Sequence, residues 1–179
     1  MHNVFYRQLL SADYNEYKRI RLDSLKEYPN NFGAIYEEEL NSKSLKLEGA
    51  IKFTNDANFA FGAFLPEETM IGICGFVTDL RQKTKHRGEI VHMFVNTQYT
   101  GQGIGKKLLQ LTIDKAFNNN QTEQIILGVV CTNENAIKLY KQFGFVEYGK
   151  LEKYFKTGSI WSAERYPGTG PISFMLSSR

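Results

Sequence analysis

Residues 88–117 read GEIVHMFVNTQYTGQGIGKKLLQLTIDKAF, and this stretch limits what the chain can fold into more than any other. Glu89 to Val95 is rich in β-branched and aromatic residues and reads as a strand. Thr100 to Gly105 carries glycines at 101, 103 and 105 and reads as a loop. From Ile104 onward, Ile104, Leu108, Thr112 and Ala116 recur every four residues, with Leu109, Ile113 and Phe117 beside them, the pattern of an amphipathic helix with one buried face. A strand that feeds a glycine loop opening a helix is a device for holding phosphate. Glycines let backbone N–H groups approach an anion closely, and the helix N-terminus adds partial positive charge. Lys106 and Lys107 lie in the first helical turn, where a cation opposes the helix dipole by about 0.3–1 kcal/mol. An anionic ligand would relieve that conflict; solvated surface lysines are the alternative.

Two common phosphate loops are excluded by spacing. A dinucleotide fingerprint G-x-G-x-x-G would need glycine at Lys106 or at Leu108, and a P-loop would need glycine at Thr100 and Ser or Thr at Lys107. The remaining pattern, Thr100-Gly101-Gln102-Gly103-Ile104-Gly105, resembles the acetyl-CoA loop of the GCN5-related N-acetyltransferases (Gln or Arg, two residues, Gly, one residue, Gly or Ala). Thr100 replaces the leading Gln or Arg, which removes one side-chain contact and leaves the backbone cradle. A second block, Asn133 to Phe145, reads NENAIKLYKQFGF and resembles the same family's Asn-Ala-Leu-Tyr helix ending in Gly-Phe. Two motifs in the right order and at the right separation are more specific than either alone.

The remaining segments fit one mixed α/β domain spanning 1–179, large enough for a substantial core. Asn3–Leu10 reads as a strand, and Ser11 is positioned to cap a helix reaching Tyr28. Pro29-Asn30-Asn31 breaks that helix, and Tyr36–Phe53 reads as a second helical region, acidic at its start. Phe59–Leu65 and Met70–Leu80 form a hairpin across Pro66-Glu67-Glu68. Arg81–Gly88 is a basic turn. Gln124–Cys131 is a buried strand; Thr132 or Asn133 caps a helix to Phe143, and Gly144 stops it. Phe145–Phe155 is a strand, Lys156–Pro171 a long loop, and Ile172–Leu176 a last strand. The resemblance implies the acyl-CoA N-acyltransferase fold, a mostly antiparallel twisted sheet flanked by helices.

Composition narrows the ligands. A formal net charge of +3 favours an anionic ligand such as the phosphates of CoA, without the long Lys/Arg runs of a nucleic-acid binder. Cys74 and Cys131 lie in apolar runs and read as buried free thiols, and no metal-ligand spacing is present. The N-terminus lacks signal-peptide character and no apolar run reaches membrane-spanning length, so a cytoplasmic protein, monomer or homodimer, is expected.

Acetyl transfer from a thioester to an amine requires the amine to lose a proton, the carbonyl to be polarised and the leaving thiolate to be protonated. The resemblance makes Tyr140 the acid; on its helix alone it reads as a core aromatic, sharing a face with Ala136 and Phe143. Glu89 is the candidate base, with an ion pair to Lys85 or Arg87 as the plain alternative and His92 as the second candidate. Strand alternation puts Glu89, Val91, Met93 and Val95 on one face and Ile90, His92 and Phe94 on the other. The resemblance assigns acetyl-CoA to the backbone of Phe94 and Val95, to Gly101, Gln102, Gly103, Ile104, Gly105 and Lys106, and to Asn133. Arg21, Tyr36, Glu37, Trp161 and Tyr166 are candidate lining of the amine site. The implied reaction is direct attack of a primary amine, from a small molecule or peptide, in a ternary complex with acetyl-CoA. The rivals are a CoA-binding sensor without catalysis and a nucleotide-binding module.

Overall fold

Phenylalanine and β-branched residues at alternate positions build the centre of a seven-stranded sheet. The computed structural model describes residues 3–53, 56–79, 81–118, 121–151, 156–157, 160–161 and 171–178. The strands are β1 (Phe5–Gln8), β2 (Phe59–Phe64), β3 (Met70–Thr78), β4 (Arg87–Val95), β5 (Gln124–Val130), β6 (Val146–Lys150) and β9 (Pro171–Ser177), in the order β1-β2-β3-β4-β5-β9-β6. Every pairing is antiparallel except β4 with β5. The helices are α1 (Tyr14–Glu27), α2 (Tyr36–Leu40), α3 (Glu48–Lys52), α4 (Ile104–Asn118) and α5 (Glu134–Gln142).

Two cores sandwich the sheet. On one face Ile104, Leu108, Leu109 and Ile113 of α4 pack with Phe59, Phe76, Ile90 and Phe174, and Tyr140 of α5 joins them. On the other, Tyr17 and Ile20 of α1 and Ala50 and Ile51 of α3 pack with Phe64, Ile73, Val91 and Phe94. The four-residue spacing in α4 thus marks its buried stripe.

Three segments differ from the sequence expectation. Ser11 does not cap α1: Ser11–Asp13 forms a 3-10 turn, and α1 begins at Tyr14. The region Tyr36–Phe53 is two short helices, not one. Between them Asn41 Nδ2 bonds the Glu37 carbonyl and Ser42 Oγ bonds the Ser44 carbonyl, side-chain bonds that compete with helical ones. Within Lys156–Pro171, read as loop, β7 (Lys156–Thr157) and β8 (Ile160–Trp161) pair antiparallel as a separate two-stranded sheet. The C-terminal half of the expected strand Phe145–Phe155 (152–155) and Tyr166 lie outside the described residues.

The feature that matters for function is where β4 and β5 part. They pair only at Arg87↔Gln124, Gly88↔Ile125 and Glu89↔Ile126. Beyond this point, Ile90–Val95 and Leu127–Val130 flank an open cleft of about 1590 Å³. Gly88 sits at the fork because no side chain fits there: an added Cβ would lie 2.0 Å from Cζ of Phe76, a core ring with no exposure. Gly88→Ala should therefore destabilise the protein by about 1–3 kcal/mol, the usual cost of overpacking. Thermal or denaturant unfolding checks this, and an unchanged midpoint would mean the Phe76 ring can yield.

Candidate active site

The cleft is bounded at one end by the glycine loop. Gly101 and Gly103 adopt φ of +74° and +79°, the left-handed region that favours glycine. The first helical bond of α4 runs from the Lys107 N–H to the Gly103 carbonyl at 3.0 Å. The N–H groups of Ile104, Gly105 and Lys106 therefore have no intrahelical acceptor, and all three residues line the cleft together with Gly101 and Gly103. Free N–H groups at a helix N-terminus are the kind of donors that an anion takes up. Lys106 lines the cleft, whereas Lys107 and Gln102 do not. Thr100, in place of the usual Gln or Arg, donates its hydroxyl to the Thr97 carbonyl at 2.9 Å. Gly105 has a different role from the other glycines. A Cβ there would meet Met93 Cε at 3.1 Å and Val95 Cγ2 at 3.6 Å, so this glycine lets α4 pack close against β4.

The middle of the cleft is framed by β4 and α5. Phe94 is buried and packs edge-on against Tyr28, while Val95 is half-buried. Across from them, Asn133 caps α5 by accepting the Ala136 N–H at 3.2 Å and also lines the cleft. Tyr140 lines the same space. Its ring is held by Phe145 at 5.9 Å and Phe174 at 6.4 Å, and burial, with a smaller contribution from Cys74, raises the phenol above its ordinary 10.0. Cys74 is itself buried and free, its thiol pushed up to about 12 by burial; Cys131 is free and half-buried.

At the far end the strand alternation breaks. Ile73 pairs with Phe94 but Gly75 pairs with Val91, so β4 carries one residue more than β3 between these pairs. The extra residue is at His92, whose φ is +53°. The bulge places Val91 and His92 on one face in succession. Glu89, Val91, His92 and Phe94 therefore face α1 and α3, while Ile90, Met93 and Val95 face α4. The expected split, with His92 opposite Glu89, is corrected: the bulge brings both to the same face.

Glu89 is half-exposed and bonds Lys46 Nζ at 3.0 Å, so its partner is neither Lys85 nor Arg87. His92 stacks on Tyr17, and Tyr17 Oη lies 3.3 Å from His92 Nδ1. The same hydroxyl accepts the Leu47 N–H at 3.2 Å. Tyr17 has no exposure, so its hydroxyl hydrogen is satisfied by donating to Nδ1, which fixes the neutral His92 with its proton on Nε2. Burial first, then the charges of Arg21 and Lys46, hold the imidazole well below its ordinary 6.5.

Among the expected lining residues, Arg21 is present, paired bidentately with Glu39 at 2.8 and 2.7 Å. Tyr36 and Glu37 are not in the lining; Glu39, two residues on, is. The side chain of Trp161 lies outside the described residues. Tyr28, Phe32, Lys46, Gly128 and Tyr148 also line the cleft and were missed. They come from segments whose sequence carries only core or surface signals.

The comparisons agree with this geometry. A model described as Acetyltransferase (GNAT) family matches residues 13–145. N-alpha-acetyltransferase 30 of Schizosaccharomyces pombe is 33% identical over 101 residues, 56% of this chain and 66% of that protein. The human N-alpha-acetyltransferase 30 is 31% identical over 104 residues, 58% of this chain and 28% of that one. Spermidine N(1)-acetyltransferase of Vibrio cholerae is 27% identical over 103 residues, 57% and 60%. The match spans less than two thirds of each of these proteins. Among solved structures, a ribosomal-protein-S5-alanine acetyltransferase from Vibrio fischeri superposes with a TM-score of 0.75 at 18% identity, covering 99% of this chain and 94% of that one. A GNAT-family acetyltransferase from Streptococcus pneumoniae gives 0.73 at 18% identity, covering 98% and 100%. These structures share the fold, and the family model spans well over half of the chain, including the glycine loop and the strands that part at the fork: the chain belongs to the GNAT acetyltransferase family.

Proposed function

We propose that the protein transfers the acetyl group of acetyl-CoA to a primary amine of a peptide or small molecule, by direct attack within a ternary complex. The observation that carries this reading is the fork between β4 and β5. It joins, in one cleft, the unpaired N–H groups of α4, the buried Tyr140 phenol and the Glu89–His92 wall. The cradle at Gly101–Lys106 would hold the pyrophosphate, and the free edge of β4 at Phe94 and Val95 would pair with the pantetheine arm as an added strand does. Bound acetyl-CoA supplies the activated acyl group. Asn133 keeps its side-chain N–H₂ available to the ligand while its oxygen caps α5. Spermidine acetylation by one relative and N-alpha-acetylation by others both fall within amine acetylation. An acetyl-CoA consumption screen over polyamines, aminoglycosides, amino acids and peptides tests the reading. CoA binding with no amine-dependent release would sink it.

Glu89 accepts the amine proton in this scheme, directly or through a water. His92 is the weaker candidate, because its Nδ1 is occupied by Tyr17 and its Nε2 already carries hydrogen. Glu89→Gln keeps the shape and removes proton acceptance, so turnover should fall across the pH–rate profile. The profiles belong between about pH 6.5 and 9.5. Below the ordinary imidazole value of 6.5 the unfolded chain takes up a proton that folded His92 refuses, so stability declines as pH falls. Superimposable wild-type and Glu89→Gln profiles would reduce Glu89 to a partner for Lys46.

A further inference from the structure

The acceptor end of the cleft has a surplus of hydrogen-bond donors. Arg21 is 4% exposed at its side chain, and its Nε and Nη2 are spent on Glu39. Its Nη1 is buried and has no partner among the described residues. A buried guanidinium nitrogen without an acceptor is costly and calls for one. The Arg21 plane is fixed from both sides, by Glu39 and by the Phe32 ring at 4.9 Å. His92, on the same cleft wall, is a second fixed donor: Tyr17 occupies Nδ1, so hydrogen sits on Nε2. The bulge and positive φ at His92 turn that ring onto the face of Arg21 and Tyr17.

We propose that Arg21 Nη1 and His92 Nε2 recognise a carbonyl or carboxylate oxygen next to the acceptor amine. The acceptor is then an α-amine of an amino acid or peptide N-terminus, not a polyamine. This rests on the acetyl-transfer reading for its chemistry, but the recognition is a binding property.

Two further observations agree. At the acceptor end the charged side chains are Arg21 and Lys46 with Glu39 and Glu89, and both carboxylates are already ion-paired. A polyamine brings only donors and positive charge to such a wall. The proton acceptors at this end are also modest: Glu89 is half-exposed and engaged by Lys46, and His92 is held neutral. The α-amine of a peptide N-terminus titrates near 7.7–8.0 and is roughly 9–17% neutral at pH 7, whereas a lysine-type amine near 10.4 is neutral to only about 0.04%. A peptide N-terminus therefore asks less of these groups.

Calorimetry in the presence of CoA tests recognition without turnover. The probes are tripeptide amides beginning with Gly, Ala, Ser, Met or Lys, the five free amino acids and their decarboxylated amines, analogues of the peptides with the first carbonyl reduced to methylene, and spermidine. At least one peptide or amino acid should bind at least tenfold more tightly than its reduced analogue or decarboxylated amine and than spermidine. Whichever arm binds identifies the source of the oxygen. Arg21→Lys keeps a cation beside Glu39 but removes the spare donor, and should shrink that tenfold margin while leaving the reduced analogue's affinity unchanged. Equal binding of oxygen-bearing and oxygen-free ligands by the wild type, or tighter binding of spermidine, overturns the proposal even if Arg21→Lys does not fold. Selective binding without any acetyl transfer would count against the transfer reading and leave this recognition standing.

Discussion

Gly103→Asp should abolish CoA binding while the protein stays folded. At Gly103 an added Cβ has nothing within 4 Å, so no clash arises. The φ of +79° is unfavourable for most side chains, but Asp visits this region more readily than others, and the strain is on the order of 1 kcal/mol. The carboxylate would then stand beside the free N–H groups of Ile104, Gly105 and Lys106, competing with a pyrophosphate for them and repelling it. A unit charge about 5 Å from another of the same sign, at an effective dielectric of about 20, costs about 3 kcal/mol, which is more than 100-fold in affinity. Gly103→Ala is the control for strain alone and should change affinity far less. Gly105→Asp would not report on the cradle in the same way. Its side chain would be driven into Met93 and Val95, so loss of binding there would arise from displacement of α4. Calorimetry with CoA, alongside unfolding midpoints, separates these cases; unchanged CoA affinity in folded Gly103→Asp would remove the loop from the cradle.

What could be read from the sequence was local. Glycine spacing, the four-residue stripe of α4 and the Asn133 cap are each encoded within one turn or loop, and the structure places all of them where the pattern indicates. What could not be read depends on pairing between distant segments. The bulge at His92 is set by the register of β4 on β3 and leaves no mark in the alternating run Glu89–Val95. Lys46 reaches Glu89 from 43 residues away, out of a segment that looks like continuous helix, whereas the nearby Lys85 and Arg87 look like the obvious partners. The same holds for Tyr17, whose helical position reads as core. It is core, and its hydroxyl also sets the tautomer of His92. The fork between β4 and β5 is the product of the whole sheet, since each strand alone looks able to pair along its full length.

Tyr140→Phe should lower turnover by about 10²-fold or more, equivalent to about 2.7 kcal/mol in the barrier, with little change in CoA affinity. In the proposed reaction Tyr140 gives its hydroxyl proton to the departing thiolate. Burial above the ordinary 10.0 favours that role, because the phenol remains protonated throughout the working pH range. The substitution removes one oxygen and leaves the ring, which is 5% exposed and packed against Phe145 and Phe174, so the fold should hold. The linkage sign sets where to measure. A phenol whose folded value is raised stabilises the protein below its unfolded value and loses that contribution as pH rises past about 10, so rates belong below about pH 9.5. Product release could hide a defect in chemistry, so the decisive measurement is single-turnover acetyl transfer with enzyme in excess. A single-turnover rate equal to wild type would return Tyr140 to the hydrophobic core. A slow rate with unchanged CoA affinity would mark a group used only in the transition state.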